Sequence, residues 1–194
     1  SHPDIENKTY TQKFSMYDTS TDVTFTNVSE KQSYAASKGS IEGVDISSNG
    51  EHIFYASESN EQIVQLTLGT PFDLTTVTNT KSIDLVRNIE GMEIGKNGEN
   101  VYYVEDTTQK LIHYSLSTPF DISTATHENT VDILESTDNL EAVAINEDGS
   151  KIFIADRSDG ILQYQMTRTH DITSLDYEKT KSVPSPWGLA LNLD

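Results

Sequence analysis

Thr70-Pro71-Phe72-Asp73 and Thr118-Pro119-Phe120-Asp121 spell the same four residues 48 positions apart. They sit inside two longer stretches, QLTLGTPFDLTT from Gln65 and HYSLSTPFDIST from His113, that match almost position for position. Extending the match outward gives three units, beginning at Ile41, Ile89 and Leu140, at spacings of 48 and 51 residues. A partial unit from Tyr10 matches only the second half of the repeat, and Pro186-Trp187-Gly188-Leu189 onward matches only its beginning. A period of this length is the mark of a repeat architecture.

Within each unit apolar residues alternate with period two, the spacing of half-buried strands. In the first unit Val44 and Ile46, then Ile53 and Tyr55, then Ile63 to Leu68, predict three short strands, and Thr78 to Leu85 a fourth. Asn49-Gly50, Asn97-Gly98 and Asp148-Gly149 separate the first two strands of each unit and predict tight two-residue hairpins. TPFD and its variants end the third strand: proline fixes φ, and the aspartate can accept a hydrogen bond from the backbone two residues on. Asp22, Asp73, Asp121 and Asp171 are therefore turn residues.

Four antiparallel strands in about 48 residues are a β-propeller blade. The expectation is an all-β propeller of about four blades, three whole and one split: a partial blade at 9–38, blades at 41–86, 89–135 and 140–183, and the first strand of the split blade at 186–194. The strand count falls one short of four complete blades. Open blade edges can pair with another copy, so a fragment or a self-associating unit, a homo-oligomer or a head-to-tail polymer, is favoured over a closed monomer. Tyr55, Tyr102, Tyr103, Tyr114 and Tyr164 are expected to pack between blades.

The string Ile-His-Tyr-Ser-Leu-Ser-Thr-Pro-Phe-Asp-Ile-Ser-Thr from Ile112 resembles a propeller repeat of structural and surface proteins from marine phages and marine bacteria. Segments such as DGSKIFIAD from Asp148 are similar, more distantly, to YVTN-type surface-layer propellers. The resemblance covers nearly the whole chain and implies the fold and a cell-surface or virion setting. It does not imply an activity, because one propeller hosts many functions.

The 13 basic and 31 acidic residues leave a net charge of −18. Nucleic acid is excluded as an expected partner, since phosphate neutralisation draws on clustered Lys and Arg, and an anionic membrane surface is disfavoured likewise. An acidic surface attracts cations and suits salty surroundings. With no cysteine there is no disulfide, thiolate metal site or thiol nucleophile. No apolar run is long enough for a membrane-spanning helix, and the first residues do not resemble a signal peptide, so a mature chain or a piece of a larger one, outside the cell, is expected. Asn7-Lys8-Thr9 and Asn27-Val28-Ser29 fit the glycosylation pattern, which matters only in a eukaryotic secretory route.

In a propeller the innermost strands begin at one mouth of the central channel. Glu42, Glu90 and Glu141 open the innermost strand of each unit, and Trp187 holds the same place in the last partial one. Three carboxylates at one radial position could hold a hard cation such as calcium, and would otherwise raise one another's pKa; the alternative is that each simply ends its blade at a solvated rim. The Glu42-Gly43 pair is also similar to one that carries a metal-binding glutamate in calcium-dependent lactonase and esterase propellers, which implies a calcium site. Neighbouring loops add Glu58, Asp106, Asp156 and Arg157, and the connections between units add Arg87, Asn88 and Asn139. An exposed tryptophan among such groups suits a protein or glycan ligand, although Trp187 also shares the phase of Leu189 and Leu191 and could pack instead.

No nucleophile elbow, phosphate loop, His-Glu-x-x-His or dinucleotide fingerprint occurs. The five histidines lack a shared register with an acid. Asp45 and Glu93 share one phase of the inner strand, where the later units have Ala144 and Ala190. Three functions remain: a non-enzymatic surface module for binding or assembly, a calcium-dependent hydrolase of the lactonase type, or a subunit whose partner is itself.

Overall fold

The computed structural model describes residues 40–85, 89–136 and 139–191, together with the backbone of 13–14 and 23–24. The chain divides into two units, Ser1–Ser33 and Tyr34–Asp194. In the first, β1 (Lys13–Phe14) pairs antiparallel with β2 (Val23–Thr24). The rest of the partial blade expected at 9–38, Asp22 included, lies outside the described residues.

The second unit contains three four-stranded antiparallel sheets in simple meander order. The first joins β3 (Ile41–Ile46), β4 (His52–Ser57), β5 (Gln62–Leu68) and β6 (Val77–Asp84). The second joins β7 (Met92–Ile94), β8 (Asn100–Glu105), β9 (Lys110–Leu116) and β10 (Ala125–Asp132). The third joins β11 (Leu140–Ile145), β12 (Lys151–Asp156), β13 (Gly160–Met166) and β14 (Leu175–Lys181). These are the three whole blades of an all-β propeller, stacked in series.

The core lies between blades. Phe54, Ala56 and Ile63 of the first blade meet Met92, Ile94, Val101 and Tyr103 of the second, and Tyr102, Val104 and Leu111 of the second meet Val143, Ile145 and Ile154 of the third. In β8, Val101 and Tyr103 thus face one neighbour and Tyr102 and Val104 the other. The strand is buried on both faces, which is why it reads as a continuous apolar run rather than a half-buried alternation. Tyr102, Tyr103 and Tyr164 pack between blades and Tyr114 joins from the edge. Tyr55 instead packs with Val64 and Leu66 on the outer face of the first blade.

The Asn-Gly and Asp-Gly turns are wider than two-residue hairpins. Gly50 N donates to Ser47 O at 2.7 Å and Ser47 N to His52 O at 2.9 Å, so four residues separate the closing pair. Positive φ falls on Gly50, Gly98 and Gly149, and not on the preceding Asn or Asp; a two-residue type I′ turn would need it at both positions. The side chain of that preceding residue serves the turn instead, accepting from the backbone two residues on: Asn97 Oδ1 takes Glu99 N at 3.0 Å and Asp148 Oδ1 takes Ser150 N at 2.9 Å.

The TPFD turns behave as the sequence predicts. Asp73, Asp121 and Asp171 each cap a single 3-10 turn, accepting from Thr75, Ser123 and Thr173 N at 3.0, 3.1 and 2.9 Å. The preceding Phe72, Phe120 and His170 sit at positive φ. Their N–H groups donate to the carbonyls of Gly50, Gly98 and Gly149 at 2.9, 2.8 and 2.9 Å, so the two turn motifs of each blade grip one another.

Candidate functional site: the acidic mouth

Each inner strand starts beside the turn that joins the second and third strands of its blade. Glu58 N donates to Ser40 O at 3.2 Å, Glu90 N to Val104 O at 3.0 Å and Arg157 N to Asn139 O at 3.0 Å. The inner strands can approach closely because Gly91 lacks a side chain: a Cβ there would overlap Ala142 Cα and stand 2.6 Å from Glu141 O. Gly43 of the Glu42-Gly43 pair answers to packing in the same way, since a Cβ there would stand 2.9 Å from Met92 N.

This approach gathers the carboxylates. Glu90 is pushed up to about 7, first by burial and then by Asp106, Glu42, Glu141 and Glu58, in that order. These four neighbours are all acids. Glu141, buried, is also raised, mainly by burial, against the opposing pull of Arg157. Arg157 pairs through its guanidinium with Glu141 Oε1, and its Cζ lies 4.2 Å from the ring centroid of Trp187. Trp187 is 69% exposed, so its indole is a platform rather than a plug.

Of the residues singled out by sequence, the structure brings together Glu42, Glu58, Glu90, Asp106, Glu141, Arg157 and Trp187. Asp156 is fully buried and spent on its own turn, accepting from Ser158 N and Asp159 N at 2.8 Å each and from Ser136 Oγ. Asn139 contributes its carbonyl. Arg87 and Asn88 lie outside the described residues. Among the described residues no three His, Cys, Asp or Glu side chains are grouped to hold a metal ion, and Glu141 is committed to a cation of the protein itself.

Residues set aside in the sequence do connect the blades. Asp45 Oδ2 accepts from Ile94 N at 2.8 Å, and Glu93 Oε1 from Ile145 N at 3.1 Å, each acid clipping its inner strand to the next blade. Burial raises both, Glu93 to about 8. The signal was their shared phase one repeat apart. Gln65, buried, spans the same blade boundary, donating to Phe120 O at 2.6 Å and accepting from Ile122 N at 2.9 Å. A cleft of about 360 Å³ lies at the end of the inner strands remote from Glu42, lined by Asp45, Glu93, Lys96, Phe120, Leu189 and Leu191; its two acids are those backbone clips.

No protein-family model and no curated protein sequence matches the chain. Solved structures do. A candidate 6-phosphogluconolactonase of Bacteroides fragilis is similar over 78% of this chain and 44% of its own, at 10% identity and a TM-score of 0.58. One of Bacteroides uniformis covers 73% of this chain and 40% of its own, at 14% identity and 0.55. The WD40 repeats of RRP9 cover 75% and 39%, at 11% identity and 0.52. The chain therefore spans less than half the length of these structures, and the likeness establishes the propeller fold alone.

Proposed function

We propose that this chain is a non-enzymatic propeller module, displayed at a cell or virion surface, that binds a cationic segment of a protein partner at its acidic mouth. The observation that carries the proposal is Glu90, held near neutrality by burial and four acidic neighbours. A lysine or arginine entering among them relieves that repulsion, while the exposed face of Trp187 offers it or a neighbouring ring a stacking surface. The same field repels a phosphorylated sugar lactone, so the substrate class named for the two Bacteroides structures is a poor match for this mouth.

A second reading has one observation in its favour: a carboxyl group titrating near 7 suits general acid–base catalysis. Titration with a Lys/Arg-rich peptide and with its Glu-rich counterpart separates the two. Binding of the basic peptide alone, tightening several-fold from pH 6 to 8 as Glu90 ionises and weakened about tenfold in Glu90→Gln, is the expected result. Hydrolysis of a sugar lactone above the uncatalysed rate, lost in Glu90→Gln, would overturn it in favour of the hydrolase.

A further inference from the structure

Asp45 and Glu93 clip their inner strands to the next blade, through Ile94 N and Ile145 N, but the third unit has Ala144 at that position and the last partial one Ala190. The glycines of these segments follow the same division. A Cβ on Gly43 would stand 2.9 Å from Met92 N, and one on Gly91 2.4 Å from Ala142 Cα. One on Gly188, at the same repeat position, would meet nothing within 4 Å. Leu189 to Leu191 therefore lie beside β3 without the close approach that β3 makes to β7 and β7 to β11.

The gap is the cleft of about 360 Å³ remote from Glu42, walled by Val44, Ile46, Met92, Ile94, Leu189 and Leu191. It leaves Val44 64% and Ile46 43% exposed, against 6% and 7% for Met92 and Ile94 at the same places in the second blade. Ligand pockets run from about 300 to 1,000 Å³, so this one suits a small molecule.

Three charged side chains join those apolar walls. Asp45 spends both oxygens on backbone, taking Ile46 N at 2.7 Å and Ile94 N at 2.8 Å. Lys96 is paired with Glu147 at 2.9 Å. Glu93 spends only Oε1, on Ile145 N, and Oε2 has no hydrogen-bond partner among the described residues. A carboxyl oxygen left over in an apolar cleft is a poorly compensated polar group. The charge of Asp45 adds to the burial that already disfavours ionised Glu93. A cation relieves both, giving Oε2 a donor and offsetting the repulsion between the acids. A carboxylate ligand would add a third negative charge, and an alcohol would leave the repulsion in place.

We propose that this cleft binds a small molecule bearing a primary alkylammonium group, with the alkyl chain against Val44, Ile46, Leu189 and Leu191 and the ammonium on Oε2 of Glu93. The site lies at the opposite end of the inner strands from the acidic mouth, and it does not rest on the function assigned to that mouth.

The test is calorimetric titration of the full chain at neutral pH with hexylamine, hexanol and hexanoate. Hexylamine is expected to bind at least tenfold more tightly than either of the others. Glu93→Gln keeps an acceptor for Ile145 N, and Ala190→Phe fills the cleft from an exposed position; each should weaken hexylamine at least tenfold. Titration with Nα-acetyl-lysinamide distinguishes the sources of the group: tighter binding of hexylamine assigns the cleft to a free amine, tighter binding of the lysine amide to a lysine side chain. Hexanol binding as tightly as hexylamine would overturn the proposal, as would no hexylamine binding at millimolar concentration. Hexylamine binding lost in Glu90→Gln and kept in Glu93→Gln would place the amine at the mouth and overturn it too.

Discussion

The backbone N–H of Phe120 donates to the carbonyl of Gly98 at 2.8 Å, and the Phe120 ring covers that glycine so closely that a Cβ would stand 2.5 Å from it. Two turns some twenty residues apart thereby become one structural unit. Gly98 also sits at φ +72°, where a Cβ is strained whatever the space. Gly98→Ala is expected to cost about 2–4 kcal/mol from strain and overlap together, read as a lower urea midpoint at an unchanged slope.

Gln65 bridges the first two blades with a donor and an acceptor used at once. Gln65→Ala leaves Phe120 O and Ile122 N without those partners in a buried place, and is expected to cost about 2–3 kcal/mol. Gln65→Glu should be similarly damaging at neutral pH, because a carboxylate can accept from Ile122 N but cannot donate to Phe120 O. Urea unfolding of both variants at pH 7 checks this.

Glu93 holds its proton to about pH 8 in the folded state against an ordinary value of 4.5. The folded chain therefore binds more protons than the unfolded one between those values. Its contribution is fully present below pH 4.5 and is lost as pH rises toward 8, by an amount on the order of 2–4 kcal/mol. Glu93→Gln retains an acceptor for Ile145 N without an ionisable group, so it should flatten the fall in stability between pH 5 and 8. A slope identical to that of the parent chain would refute the assignment.

His113 stacks on Tyr102 at 4.7 Å, with Nε2 2.8 Å from Asn100 Oδ1, and burial drives it down to about 4. Tyr102 in turn reaches His170 Nδ1 at 3.0 Å, and His170 is lowered too, again chiefly by burial. Neutral imidazole is what this boundary between the second and third blades accepts. Stability is present above pH 6.5 and falls as pH drops toward 4, by about 2–3 kcal/mol for His113. His113→Gln, the residue type used at this position by the other two blades, should remove most of that acid sensitivity; NMR titration of the His113 ring gives the direct check.

The legible part of this fold was local. The Asp of TPFD could be read as a turn acceptor because its hydrogen-bond partner lies two residues away, and Asp73, Asp121 and Asp171 all do this. The Asn-Gly turns were legible as turns but not in type, because the side chain of Asn97 supports a wider loop in which only Gly98 takes positive φ. At the mouth, the common position of Glu42, Glu90 and Glu141 could be read from the repeat. That Arg157 would claim Glu141 and lie over Trp187 could not, since both contacts depend on where the turn between β12 and β13 sets its side chain against the inner strand and the segment that follows the blade.

The sequence alone determined the repeat length, the order of four strands in each blade and the places where the chain turns, because each is set by alternation and turn chemistry within a few residues. Tertiary structure decided which face of each strand meets which neighbour, and so why Asp45 and Glu93 are clips to Ile94 and Ile145 rather than a catalytic pair. It also decided that Gln65 spans a blade boundary and that Glu90 titrates near neutrality. The clips and the Gln65 bridge depend on groups about one repeat away in sequence, and Glu90 on burial and on acids from its own and both neighbouring blades, brought within hydrogen-bonding or Coulombic reach only when blade stacks on blade and excludes water.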